Sequence, residues 1–143
     1  MEFRTFADVF LLLVLDGNVL LALRQNTGYA DGQWNLPSGK VEPDEDLAAA
    51  LRREAREEVG VEVIGTRLAT VVHHRAAGEE ARLGFFFEAT DWAGEPRNAE
   101  PGKCGGIGWY PLDALPAETV PYTAVGVELY RRGEPYSRHG AWR

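Results

Sequence analysis

A single cysteine, Cys104, is the only thiol in this 143-residue chain. That excludes an internal disulfide framework and a zinc site built on cysteines, and it fits a reducing compartment, so the expected location is the cytoplasm. Long hydrophobic runs are also missing. The longest, Val9 to Leu15, has seven residues, against the roughly 20 that a membrane helix needs. With Glu2 and Asp8 ahead of it and no small-residue cleavage site, the segment does not read as a signal peptide. Positive charge is scarce: 15 Lys and Arg stand against 22 Asp and Glu, a net charge of −7. Without surplus cations to neutralise phosphates, nucleic acid and anionic membranes are poor partners. An acidic protein can still handle a phosphorylated small molecule if a cation stands between the two, so the placement of the acids becomes the question. What is present is ordinary: 45% hydrophobic and 26% charged residues, the composition of one globular domain spanning 1–143.

Along the chain, Val9 to Leu15 reads as a buried strand, Asp16-Gly17-Asn18 as a turn, and Val19 to Arg24 as its hairpin partner. A polar loop (Gln25 to Gly32) leads to a short strand, Gln33 to Leu36. Asp44 is the expected N-cap of a helix running from Glu45 to Val59, with Gly60 ending it. Val61 to His73, Arg82 to Ala89 and Ile107 to Tyr110 read as further strands, Pro111 to Leu115 as a helical turn, and Tyr122 to Arg132 as a second helix. The tail after Gly133 reads as irregular. Strands outnumber helices without a strict alternation, which predicts an α+β fold.

The helix from Glu45 to Val59 is where local rules break. At 100° per residue, Leu47, Leu51, Ala55 and Val59 form an apolar stripe, and Glu54, Glu57 and Glu58 crowd beside it. Glu54 and Glu58 are a like-charge i,i+4 pair, and acids at the C-terminal end oppose the helix dipole by roughly 0.3–1 kcal/mol each when exposed. Arg53 can pair with Glu57, in the weaker orientation, while Glu54 and Glu58 stay uncompensated. Stability alone would exchange the arginines and glutamates. A hard divalent cation explains the inversion, because carboxylate oxygens are its natural ligands.

The spacing carries further. Gly39, five residues, Glu45, seven residues, then Arg53-Glu54-Ala55-Arg56-Glu57-Glu58-Val59-Gly60-Val61 resembles, without a gap, the 23-residue box (39–61) of the Nudix hydrolases. The hairpin before it, and Trp109, Pro111, Leu112 and a terminal helix after it, extend the resemblance over nearly the whole chain. It implies an α/β/α sandwich around a mixed sheet, and hydrolysis of a nucleoside diphosphate linked to another group, with Mg²⁺ or Mn²⁺. On the same basis Gly39 (through its carbonyl), Glu54, Glu57 and Glu58 are the expected metal ligands. Arg53 would orient Glu57, Glu45 would hold Arg53, and Gly60 would support the box. One of the glutamates, or an acid from another loop, would take the proton of the attacking water.

The box does not choose the substrate. Gln33-Trp34-Asn35 and Asn98 to Cys104 resemble the branch that sanitises oxidised purine nucleoside triphosphates. Arg24, Trp34, Asn35, Lys40, Glu100 and Tyr122 are the expected substrate contacts, Arg24 as a phosphate ligand or merely a strand end and Glu100 as a further acid near the metal or merely an exposed loop residue. Asn35 would read the base through its amide and Tyr122 would stack on it, although a turn asparagine and a core tyrosine are the plainer readings. The expected reaction converts a nucleoside triphosphate, purine or modified, to monophosphate and pyrophosphate. ADP-ribose or nucleoside diphosphate sugars come second, because the first strand begins near residue 6 with no added segment ahead of it. A nucleotide-binding module without turnover comes third, since no acid of the box is missing. A monomer or homodimer is expected. His73 and His74 lack metal-site spacing, and Cys104 has no activating neighbour.

Overall fold

The computed structural model describes residues 2–143. Strand β1 (Thr5–Leu12) lies inside a five-stranded mixed sheet whose order is β5 (Ser38–Lys40), β1, β7 (Ala81–Ala93), β6 (Glu62–Arg75) and β9 (Tyr136–Gly140). The β1·β7 and β6·β9 pairs are parallel and the others antiparallel. A smaller antiparallel sheet joins β2 (Val14–Leu15), β3 (Asn18–Arg24), β4 (Trp34–Asn35) and β8 (Cys104–Pro111).

The apolar run at Val9 is continuous because β1 is covered on both faces. Val9, Leu11 and Leu13 pack with Ala50, Leu51, Ala55 and Val59 of helix α1 (Leu47–Val59). Phe10 and Leu12 pack with Phe86 and with Tyr122, Val127 and Leu129 of helix α2 (Pro121–Arg132). Helix, sheet and helix therefore form the α/β/α layers expected from the resemblance. The β2–β3 turn is a tight one, with Asp16 and Gly17 both at positive φ.

Several boundaries differ from the sequence reading. The N-cap of α1 is Asp46, not Asp44: its carboxylate accepts the Ala49 N–H at 2.8 Å. Glu45 stays outside the helix because its carboxylate is engaged by Arg53 and by the Glu42 N–H. Gly60, at φ 66°, closes the helix as expected, its N–H donating to the Arg56 carbonyl and the next N–H, of Val61, to the Ala55 carbonyl. The strand expected over Gln33 to Leu36 is only Trp34–Asn35, and Ser38–Lys40, read as the stop after it, is a separate strand of the large sheet. Of Pro111 to Leu115, Pro111 ends β8 and a turn follows, closed by the Ala114 N–H on the Pro111 carbonyl at 3.1 Å, without a helix. The tail is not irregular: β9 pairs with β6, and the Trp142 indole N–H donates to the His73 and His139 carbonyls. Its polar, aromatic composition hid a strand that half-covers an edge.

Candidate active site

Helix α1 lays its apolar stripe on β1, which swings its carboxylates toward β5, the edge strand beside it. Arg53 is the hub. Its guanidinium donates to Glu45 (2.6 and 3.0 Å), to Glu54 Oε1 (2.8 Å), to Glu57 Oε2 (3.3 Å) and to the Lys40 carbonyl (3.1 Å). The Glu45 carboxyl is consequently held down at about 2, chiefly by the Arg53 bond and then by the Glu42 N–H. Glu54 is not left uncompensated, as local spacing suggested, because Arg53 bends back along the helix to its neighbour.

Glu54 packs against the Gly39 backbone so closely that a side chain there would collide with the carboxylate. Glu58 is the more isolated acid. Its one hydrogen bond comes from the Ser38 N–H at 3.0 Å. Burial pushes its carboxyl well above the usual carboxylate range, and the charges of Glu54 and Glu100 add to that. Burial also raises Glu54, against the pull of Arg53. Glu57 is half exposed, 52% of its side chain reaching solvent. Among the described residues, no three His, Cys, Asp or Glu side chains already stand at ligand distance from one point. Mutual repulsion and the Arg53 bonds account for that spread.

The acids fit a hard cation on other grounds. Two partly buried carboxylates, Glu54 bonded by Arg53 and Glu58 by the Ser38 N–H alone, with the charge of Glu100 close to both, leave a surplus of anionic oxygen. Magnesium takes one or two carboxylates and fills its remaining positions with water and phosphate.

Three of these acids, Glu54, Glu57 and Glu58, line a cleft of about 780 Å³. Arg24, Asn35, Lys40, Glu100 and Tyr122 line it as well, as do Ser38 and Gly39. Trp34 does not: its ring packs on Tyr110 at 4.9 Å, and its backbone is tied to Glu118 and Val120. Asn35 reaches the cleft, but its amide is engaged, donating to Ser38 Oγ at 3.3 Å and accepting from the buried Thr123 hydroxyl. Arg24 is fixed by the Tyr29 carbonyl (2.8 Å) and the Thr27 hydroxyl (3.1 Å) of the polar loop. The Lys40 ammonium lies over the Phe6 ring at 5.6 Å. Tyr122 is both a core residue, 7% exposed, and a wall of the cleft.

The loop carrying Glu100 is docked on the end of α1 through Arg97 N–H to Val59 O and Ala99 N–H to Glu58 O, both 3.0 Å. Sequence reasoning missed Asp8, Ser38, His74 and Arg82, which also line the cleft. Asp8 alone gave a signal, an acid at the head of an apolar strand. Cys104 is buried, its thiol on the Gly106 carbonyl.

Comparison with known proteins places this geometry. The NUDIX domain model matches residues 5–130. The chain is 36% identical over 78 residues to an 8-oxo-dGTP diphosphatase of Proteus vulgaris, covering 54% of this chain and 69% of that protein. It is 30% identical over 106 residues to an oxidized purine nucleoside triphosphate hydrolase of Danio rerio, covering 73% and 65% respectively. A CTP pyrophosphohydrolase of Escherichia coli (strain K12) is 51% identical, over 47 residues that cover 33% of this chain and 35% of that protein. The match thus spans about two thirds of the first two of these relatives and about a third of the other. In structure the chain resembles the MutT NUDIX hydrolase from Burkholderia pseudomallei, with a TM-score of 0.81 at 32% identity, over 88% of this chain and 98% of that one.

Proposed function

The chain belongs to the NUDIX domain family, and on that premise we propose that it hydrolyses a nucleoside triphosphate, purine or modified, to nucleoside monophosphate and pyrophosphate with Mg²⁺ or Mn²⁺. The observation that carries this reading is Glu58, a partly buried carboxylate on the cleft wall that is in no ion pair among the described residues and stands beside a second partly buried acid, Glu54. Relatives named for nucleoside triphosphate hydrolysis support the substrate class.

Glu54, Glu57 and Glu58, with the Gly39 carbonyl, would hold the ion. A bound divalent ion supplies charge neutralisation on the phosphates and acidifies water. The chain's own part begins with Arg53, which fixes Glu54 and Glu57 and is itself fixed by Glu45 and the Lys40 carbonyl. A carboxylate from Glu54, Glu57, Glu58 or Glu100 accepts one proton of the attacking water on its oxygen. The water oxygen then bonds to phosphorus as the bridging P–O bond breaks, and pyrophosphate leaves with that bond's electron pair. Arg24 and Lys40 would meet phosphate oxygens from the loop and strand sides of the cleft.

The test is a product screen. Protein stripped of metal and reloaded with Mg²⁺ is offered canonical and oxidised nucleoside triphosphates, ADP-ribose and UDP-sugars, with chromatography of the products. Monophosphate and pyrophosphate from a triphosphate are expected, and Glu57→Gln should cut turnover by about two orders of magnitude while the fold persists. Turnover of ADP-ribose alone would move the substrate class. Unaltered rates in Glu57→Gln would overturn the ligand assignment.

A further inference from the structure

The face of the large sheet that α2 covers is apolar where the helix lies and polar beyond the helix's first turn. Strand register sets the pattern. Phe6, Arg82, His74 and His139 stand in one cross-strand row, and Lys40, Asp8, Gly84 and Val72 in the next row on the same face. Asp8 is 7% exposed, and the residues that follow it on that face of β1, Phe10 and Leu12, are core. It is bound by Arg82 through two bonds of 2.7 Å, Nε to Oδ2 and Nη2 to Oδ1. The guanidinium also rests on the Phe6 ring at 4.9 Å. A buried ion pair is seldom a stability device, since an apolar pair of similar volume does as well or better.

The pair leaves capacity unused. Arg82 Nη1 takes no part in the two bonds, and each Asp8 oxygen keeps a lone pair. Beside them the Tyr122 hydroxyl is buried with no hydrogen-bond partner among the described residues. It sits over Gly84, the residue opposite Asp8, and has room there only because Gly84 lacks a side chain. Asp8, Arg82 and Tyr122 all line the cleft that holds the glutamates of α1. Phosphates are repelled by Asp8, and the positive charge of Arg82 is already neutralised. This polar patch therefore suits the uncharged end of a ligand whose phosphates lie at the acids.

We propose that Asp8, held by Arg82, selects the base: its carboxylate accepts from an exocyclic amino group while Arg82 Nη1 donates to the ring nitrogen or carbonyl beside it. The inference rests on the nucleotide reading above. A base with an amino group next to an acceptor matches the pair. Uracil puts a carbonyl oxygen where the amino group belongs, and two acceptors then face each other without a proton between them. Bonds to charged groups make such a mismatch cost about 10- to 100-fold in specificity.

CTP and UTP are the sharpest probes, because they share sugar and phosphates and differ only on that edge. The wild-type protein should favour CTP in kcat/KM by about 10-fold or more, and Asp8→Asn should bring the ratio toward unity. Since Asp8→Asn leaves Arg82 with a weaker partner, the double variant Asp8→Leu/Arg82→Met, which fills the site with apolar volume, serves as a second test with the same expected ratio. Calorimetry with CMP and UMP, without metal, reads selection independently of turnover. A CTP/UTP ratio near one in the wild type, or one unchanged in both variants, overturns the proposal. CMP bound over UMP by a protein that turns over no nucleotide would sink the hydrolase reading and leave base selection standing.

Discussion

Gly39→Ala isolates one contact. The φ of Gly39 lies outside the left-handed region, so alanine meets no backbone strain, and the carbonyl proposed to face the metal is kept. The new methyl, however, lands on the Glu54 carboxylate. Even the farther oxygen, Oε2, would lie 2.8 Å from it, and Oε1 and Cδ lie closer still. Ordinary contact needs about 3.5 Å, so the carboxylate must retreat by more than about 1 Å. It cannot do so freely, because Oε1 is held by Arg53 at 2.8 Å. A displacement of that size at a reacting centre costs about 100-fold in rate. Steady-state kinetics with Mg²⁺ should show kcat falling by about that factor, with an unchanged circular dichroism spectrum and a weaker response to metal titration. If Gly39→Ala keeps kcat within about threefold of the wild type, then Glu54 is not placed by its seat on Gly39 and the reasoning fails.

Arg53→Lys keeps the charge but cannot bond Glu45, Glu54 and the Lys40 carbonyl together; kcat should fall at least about 10-fold with a smaller effect on KM, and equal kinetics would remove Arg53 as the hub. Asn35→Ala strands the Thr123 hydroxyl in the core, so it should cost about 1–3 kcal/mol and several degrees of Tm; a rise in KM with no loss of Tm would restore the base-reading role that its spacing suggested. His74 gives a pH signature. Burial, and then the neighbouring His139, lower its pKa below the ordinary 6.5, so in that window the unfolded chain binds more protons than the native one. Its contribution is therefore intact above pH about 6.5 and is lost as pH falls toward the depressed native value. Tm measured from pH 8 to 5 should drop less in His74→Phe than in the wild type, and parallel curves would refute the assignment.

The box was legible because its spacing and its helix are local. A 3.6-residue period puts Leu47, Leu51, Ala55 and Val59 on the sheet and leaves the glutamates at its rim. The same logic found Gly60 and α2. It misplaced the start of α1, because Glu45 answers to Arg53, eight residues away, rather than to the nearest free N–H groups. It put Trp34 among the substrate contacts, where the ring packs on Tyr110, since nothing local distinguishes a ring facing a cleft from one packed on a neighbouring strand. The tail after Gly133 gave no apolar pattern, and became strand β9 only because β6 had an edge to fill.

The sequence by itself determined that anions crowd one helix face in a motif of fixed spacing, and with them the family and the expectation of a divalent ion. Tertiary structure decided what those anions confront. Asp8 meets Arg82 across 74 residues, and Ser38 meets Glu58 across 20. Helical spacing is set by bonds within one turn of the chain. Strand register is set by which distant segments bury each other's apolar faces, and that is settled only when the whole core closes.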